Sequence, residues 1–408
     1  MVDTLTARDA KDAEAAVQWA LAENKSLEIV GRGTKRTLGR PAQSDATLDL
    51  SGLSGVTLYE PEELVLSAKS GTPLAEIETL LAASTQELAF EPMDYGPLLG
   101  LPAGGGTIGG VVGANLSGPR RIKAGAARDH FLGACAISGR GETFKTGGRV
   151  VKNVTGYDLC KLLAGSWGTL GAMTDITLKT LPRAETEASL LLLDLDAAAG
   201  MKAMAAAMGS SCDVSGAAHL PAPVAGRASE GLPTGRAITA LRLEGVEPSV
   251  VHRKRALEAL MSPLGPLVAL DAVQSRPLWR AIRDATPFAA DGPARERLLW
   301  RISTAPTKGA ELARIIAADC DAETMFDWAG GLVWAAVASC DDGQAPLIRQ
   351  AVAVCGGHAT LIRAPIALRA AAAVFQPQSD GLAALTKRVK QSFDPNGVLG
   401  RGRMWAGV

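Results

Sequence analysis

Two α+β domains, one dense in glycine loops and one built from repeated β-α-β-β-α-β units, are the architecture that this sequence predicts. Three observations carry it. The chain has 408 residues, long for a single hydrophobic core. Glycine-dense loops crowd its first part and thin out beyond Pro182. After that proline, strand-like and helix-like runs follow in the split βαβ order, and the order recurs.

The elements follow in sequence. From Ala10 to Asn24 apolar residues recur at helical spacing, with Ala16, Val17, Ala20 and Leu21 on one face. SLEIV reads as a strand that breaks at Gly31-Arg32-Gly33. Short strands follow over 47–50 and 63–67. Pro73 suits the first turn of a helix reaching about Ala83, because its fixed φ fits and its missing N–H has no helical partner to lose. A Gly/Pro-rich stretch runs from about Glu91 to Gly118. Strands are predicted over 131–138 and 172–181, with a hairpin through Gly139-Arg140-Gly141, and Pro182 closes the domain.

Beyond it, strands are predicted over 189–194, 214–220, 237–243 and 267–273, with helices over 197–208 and 249–260. A helix near 278–284 precedes the second pass. That pass has strands over 298–303, 324–328, 332–337 and 359–363, and helices over 308–317 and 345–354. The two units are expected to pack as one α+β domain with adjoining sheets. A helix over 381–393 ends at Asp394-Pro395. The expected division is 1–183, 184–370 and a tail, 371–408, that returns to the first domain.

Composition narrows the function classes. Basic and acidic residues balance at 42 each, so no net field points to nucleic acid or an anionic membrane. The first residues mix acids and bases without an apolar core, which argues against a signal peptide. No apolar run approaches the roughly 18 residues of a membrane span. Cys135, Cys160, Cys212, Cys320, Cys340 and Cys355 lie far apart, with no C-x-x-C. That pattern argues against a disulfide scaffold, a zinc site or an iron–sulfur cluster held by this chain alone, and fits a cytoplasmic protein with reduced thiols.

The segment PAGGGTIGGVVGANLSG, from Pro102 to Gly118, holds seven glycines in seventeen residues. Gly104, Gly106 and Gly109 fit G-x-G-x-x-G, but a Rossmann turn needs a buried strand before it and a full helix after it. Pro92, Pro97 and Pro102 exclude a central strand upstream, and Gly113, Gly118 and Pro119 leave room for a turn or two of helix. Two more glycine loops exist, GRGTKR at Gly31 and GSWGTLG from Gly165 to Gly171. Any one alone is an ordinary tight turn. Three in one domain favour a pyrophosphate cradle, because glycine lets backbone N–H groups approach a ligand.

The joint order of GRGTK, PAGGGTIGGVVGANLSG, GYDLCKLLAGSWGTLG and TDITLKTLP resembles the p-cresol methylhydroxylase (vanillyl-alcohol oxidase) type of FAD-binding domain over about 1–183. SGPRRIKAGAARDHFLGACAISGRGE, GGRVVKNVTGYDL, LWRIS, DWAGGLVW and CGGHATLIRA are similar to the E subunits of bacterial glycolate oxidases and extend the likeness through the second domain. The ending FDPNGVLGRGRMW resembles that family's close, with Gly400-Arg401 where Asn-Pro is usual. The resemblance implies an α+β chain: a two-subdomain FAD-binding domain of that type, then an α+β cap domain with ferredoxin-like split βαβ units.

It also implies the cofactor contacts. Gly31, Arg32, Gly33, Thr34 and Lys35 would bind the pyrophosphate. Pro102, Gly105, Gly106, Thr107, Gly109, Gly110, Asn115, Ser117 and Gly118 would line its other side. Gly165, Gly168, Thr169 and Gly171 would complete the pocket, with Ile176 near the adenine and Tyr157 in a positioning role. Many relatives attach flavin covalently through a histidine beside the first loop. Arg32 and Thr34 flank Gly33 here, so non-covalent FAD is expected.

Oxidising a 2-hydroxy acid needs a base for the hydroxyl proton and a cation for the carboxylate. The related catalytic subunits carry histidines and a Glu-His-Gly run in the second domain. This sequence has His130, His219, His252 and His358, and Gly357 precedes His358 where glutamate would be needed. No catalytic residue is assigned, and His358 and His130 are the candidates. The expected role is an FAD-binding subunit of a glycolate (2-hydroxy acid) oxidase complex, beside a catalytic FAD-containing subunit and an iron–sulfur subunit. The expected place is the cytoplasm, with peripheral membrane association through that complex. The alternatives are a self-sufficient FAD-dependent 2-hydroxy acid dehydrogenase and a structural subunit whose FAD does not cycle.

Overall fold

The computed structural model describes residues 3–41, 44–148, 157–233 and 235–408. The stretch 149–156, within the GGRVVKNVTGYDL motif, lies outside the described residues. Among the described residues, the first domain carries two main sheets. Asp3–Thr6 (β1), Leu27–Val30 (β2) and Ala46–Asp49 (β3) form a parallel sheet in the order β1-β3-β2. The helix Ala10–Ala22 begins where the Asp9 side chain accepts the Asp12 N–H, and it buries Ala13, Ala16, Val17 and Ala20.

Val56–Glu60 (β4) and Val65–Lys69 (β5) begin the second sheet, and Gln86–Glu87 (β6) lies apart from it. Phe131–Ile137 (β7), Thr143–Gly147 (β8) and Ala172–Lys179 (β9) complete an antiparallel order β4-β5-β9-β7-β8. Leu181–Pro182 (β10) pairs with β6. Strands β1 and β4 add to the predicted set. Both are edge strands with mostly solvent-facing residues, so neither shows the alternation that marks a half-buried strand.

Thr186–Leu193 (β11), Gly216–Leu220 (β12), Ile238–Gly245 (β13), Leu267–Leu270 (β14), Leu298–Ser303 (β15), Ala322–Asp327 (β16), Leu332–Val337 (β17) and His358–Arg363 (β18) build the cap. They form one eight-stranded sheet, β14-β11-β13-β12-β16-β17-β15-β18. Each half is a split βαβ unit, and the halves join edge to edge where His219 faces Phe326. The junction is dry. Burial holds His219 down at about 4, and its Nδ1 lies 2.9 Å from the Thr239 hydroxyl. The expected strand over 267–273 ends earlier, at Leu270. Asp271 and Gln274 form a capping box there that starts the helix Ala272–Arg283.

The last helix, Asp380–Phe393, leads the chain back to the first domain. Its buried Lys390 donates to Asp394 (2.6 Å) and to the carbonyls of Thr169 and Leu399 (2.7 Å each). Asp394 in turn accepts the N–H groups of Val398 and Leu399 at 2.8 Å. The tail then runs beside β2, with Leu27 N–H on Val398 O at 2.7 Å and Gly400 N–H on Leu27 O at 2.8 Å.

Candidate functional site

The three glycine loops, far apart in sequence, converge on one cavity that opens to solvent. The first loop supplies Gly31 to Arg36, the second Thr107, Gly109, Gly110 and Gly113, and the third Trp167, Gly168 and Gly171. Contact between the walls explains why these positions are glycine. A Cβ on Gly31 would stand 2.6 Å from the Thr107 Oγ1, and one on Gly109 only 2.7 Å from the Ser70 carbonyl oxygen. Gly168 has φ 78°, and a Cβ there would press on Ile29 at 3.1 Å.

Charge in the cavity is one-sided. Arg32, Lys35, Arg36 and Arg403 line it, and among the described residues no acid does. Arg36 and Arg403 both reach Glu28. Lys35 meets no carboxylate among the described residues, and its Nζ has only the Thr34 hydroxyl at 3.3 Å. Burial pushes Lys35 down to about 8, with Asp94 pulling it up and Arg403 pushing it further down. An ammonium held this way at a cavity wall calls for an anion. A pyrophosphate fits the backbone donors, the cations and the lack of bulk.

Arg403, Ser70, Met173 and Trp167 belong to this wall without having been expected there. Arg403 arrives on the C-terminal tail, donates to the Lys35 carbonyl at 2.9 Å, and its guanidinium carbon lies 5.6 Å from the Trp167 ring centroid. Asp94 acts one step back, accepting the N–H groups of Gly96 (2.9 Å) and Gly104 (2.7 Å), which sets the entry to the second loop. Trp167 lies within the GSWGTLG loop and Arg403 within the FDPNGVLGRGRMW ending, but neither motif points its side chain to the cavity. Ser70, Met173 and Asp94 carry no local signal. Each acts through a fold that brings distant segments together.

Several expected contacts lie off the cavity wall. The Asn115 side chain accepts the Arg128 N–H at 3.0 Å, and the Ser117 hydroxyl accepts the Ala127 N–H at 2.9 Å, so both tie the second loop to the helix Ala127–His130. Gly118 packs against Glu91 and Arg283. Pro102, Gly105 and Gly106 precede the lining segment, with Gly105 against the Thr34 methyl. Gly165 faces Asn115, Thr169 is buried and donates to the Ser166 carbonyl, and Ile176 is fully buried in β9. Tyr157 is 89% exposed.

Among the described residues no histidine, cysteine or tyrosine lines the cavity. Denaturing the protein with acid is therefore expected to release its flavin into the supernatant, and flavin retained in the washed pellet would count against this. His130 is buried, with Nε2 2.9 Å from the Ala124 carbonyl and its ring packed on Phe90. Burial lowers its pKa. His358 is exposed at the start of β18.

The basic run Arg120-Arg121-Lys123 reads in sequence as an exposed patch, and the fold corrects that for its first member. Arg120 is enclosed at the domain junction by Glu87 (2.8 Å), Glu244 (2.9 Å) and Glu91 (3.7 Å). Glu91 also takes both Nη atoms of the buried Arg242, at 2.8 and 3.0 Å. This network joins the two domains. Trp300 and Trp334 are core residues, whereas Trp328 crosses the junction and donates from its indole to the Gly118 carbonyl at 3.0 Å.

Comparison with known proteins places these features in context. A family model described as "FAD binding domain" matches residues 4–147. The chain is 34% identical to glycolate oxidase subunit GlcE of Escherichia coli (strain K12), covering 96% of this chain and 95% of that one. It is 25% identical to glycolate oxidase subunit GlcD of Bacillus subtilis (strain 168), over 92% of this chain and 83% of that one. Among solved structures, 4-ethylphenol oxidase from Gulosibacter chungangensis shares the fold at a TM-score of 0.70 and 13% identity, covering 99% and 89% of the two chains.

Proposed function

Because the chain belongs to the family of bacterial glycolate oxidase E subunits and binds FAD in a domain of the p-cresol methylhydroxylase type, we propose that it is the FAD-holding subunit of a glycolate oxidase complex. In that complex it works beside a catalytic flavoprotein subunit and an iron–sulfur subunit in the oxidation of glycolate to glyoxylate. FAD, when bound, supplies two-electron acceptor chemistry.

The observation that carries the reading is a cavity equipped to hold a dinucleotide phosphate. Lys35 and Arg32 offer cationic donors, the three loops offer backbone N–H groups, and Arg403 closes the wall from the tail. Trp167 and Met173 keep one side apolar. Among the described residues no Asp, Glu, His or Tyr stands on that lining, and the reading leaves the base to the catalytic partner. Among the described residues no helix is long and apolar enough to cross a membrane. Contact with a membrane is therefore assigned to the complex.

The test is to add glycolate to the purified chain and to the assembled complex while following the visible flavin band. Bleaching only in the complex, and lost when this chain's FAD site is emptied without loss of assembly, is the expected result. Bleaching of the isolated chain would make it a self-sufficient dehydrogenase. Unchanged complex activity after emptying the site would make this FAD structural.

A further inference from the structure

Arg121 and Arg301 come from opposite domains and share one aromatic surface. The guanidinium carbon of Arg121 lies 4.2 Å from the Trp328 ring centroid, and that of Arg301 lies 5.0 Å from it. Arg121 opens the short helix Arg121–Ala124, just past the second glycine loop. Arg301 sits on β15, opposite Trp334 on β17 and Thr360 on β18, while Ser303 faces His358. Residues paired across strands, and those two apart along one strand, share a face. Arg301, Trp334, Thr360 and His358 therefore look the same way. Tyr95 of the first domain meets that face, with its ring edge-on to Trp334 at 6.2 Å.

These groups are charged or polar, yet they lack partners. Neither guanidinium makes an ion pair or a hydrogen bond to a described residue, and the Arg301 Nε is buried without one. The contrast is one residue away, where Arg120 is enclosed by three glutamates. Tyr95 is 3% exposed, and its hydroxyl also has no hydrogen-bond partner among the described residues. The charge of Arg301 reaches that phenol. The acids that influence Arg121 are already engaged. Asp327 accepts the Trp328 N–H at 2.7 Å, and Asp129 accepts the Ala126 N–H at 2.8 Å.

The backbone beneath is held in an uncommon conformation. Trp328 and Ala329 take φ values of 54° and 56°, consecutive left-handed positions that side-chain-bearing residues seldom adopt. The indole's bond to the Gly118 carbonyl fixes it at the domain junction. A strained turn thus presents a flat ring to two planar cations, apart from the lining of the glycine-loop cavity.

We propose that Arg121 and Arg301, both packed against Trp328, form a binding site for a small carboxylate, the 2-hydroxy acid or its 2-oxo product. The choice of acid rests on the function proposed above. Two planar guanidinium forks match a planar carboxylate in geometry as well as charge. The Tyr95 hydroxyl supplies a donor for the hydroxyl or keto oxygen beside it. The site binds, and no bond-breaking step is assigned to it.

The full-length FAD-loaded chain is titrated with glycolate, glyoxylate and oxalate, and with inorganic phosphate as the competing oxyanion. Tryptophan fluorescence reports on Trp328, and equilibrium dialysis with labelled glycolate measures affinity independently. Saturable binding is expected, with phosphate at least tenfold weaker. Arg301→Gln and Arg121→Gln should each weaken it at least tenfold while flavin content and thermal midpoint hold. Trp328→Phe should abolish the fluorescence change while dialysis still detects glycolate.

No saturable binding, equal affinity for phosphate, or a double arginine variant that binds like the parent would overturn the proposal. So would arginine variants that shift the flavin spectrum while carboxylate affinity stays unchanged. The two readings fail separately. A complex that needs this chain's FAD while the chain binds no carboxylate leaves only the proposed function standing, and the reverse outcome leaves only the carboxylate site.

Discussion

Gly109→Ala is expected to yield a folded protein that purifies without yellow colour. The added methyl would lie 2.7 Å from the Ser70 carbonyl oxygen and 2.8 Å from its Cβ, at the point where the Gly109 N–H donates to that carbonyl at 2.8 Å. Neither backbone can yield alone, so the second loop moves away from the cavity. Overpacking of this kind costs about 1–3 kcal/mol. Gly106 makes a useful contrast, because nothing lies within 4 Å of a Cβ built there. Gly106→Ala should keep its flavin.

Lys35→Met tests the charge of the same wall. A hydrogen bond to a charged group contributes about 1.5–3 kcal/mol, so FAD affinity should fall roughly 10- to 150-fold. The dependence on pH has a definite sign. Burial holds the free ammonium down at about 8, and bound phosphates would raise it. Binding therefore favours the protonated form. Affinity should be flat below about pH 8 and weaken toward tenfold per unit above it. Fluorescence titration of FAD across that range is the measurement. A Lys35→Met protein with parental affinity and the parental slope would sink the assignment.

The second large effect is expected at the domain junction. Glu91→Gln should destabilise the protein by about 3 kcal/mol, because it takes the carboxylate from both Nη atoms of Arg242, whose side chain is 2% exposed, and leaves it only Glu244, 3.3 Å from its Nε. Burial alone would raise the Glu91 pKa, but the guanidiniums of Arg242 and Arg120 outweigh it and hold the group at about 2. A carboxyl depressed in the folded state stabilises above its ordinary range near 4.5, and that contribution is lost as pH falls toward 2. It amounts to about 3 kcal/mol. The thermal midpoint of the parent should therefore drop more steeply on acidification than that of Glu91→Gln. Glu91→Leu combined with Arg242→Met should recover much of the loss. A double variant as unstable as the sum of the singles would show that the pair does not act as a unit.

Much of the fold was legible because it is written locally. The helix predicted over 197–208 and the strands over 298–303 and 332–337 are observed with those bounds, since alternation and helical spacing in these runs need no distant partner. The β14 boundary was missed because a capping box competes with strand propensity over the same residues. In the candidate site the glycines were legible, but the reason for each was not. Gly31 is small because of Thr107, and Gly109 because of Ser70. Arg120 looked like its neighbour Arg121 until the fold surrounded one with glutamates and laid the other on Trp328.

The sequence by itself determined the order of the elements, the repeated split βαβ unit and the three glycine loops, because these follow from short-range periodicity and backbone freedom. Only the tertiary structure decided that the loops share one cavity, that the tail brings Arg403 to its wall and that the two repeats fuse into one sheet. It alone decided which arginines are neutralised and which stand free. The physical reason is that charge compensation and close contact depend on distances of a few ångströms between residues far apart in the chain. Glu91 and Arg242 are separated by 151 positions, and no local pattern encodes their meeting.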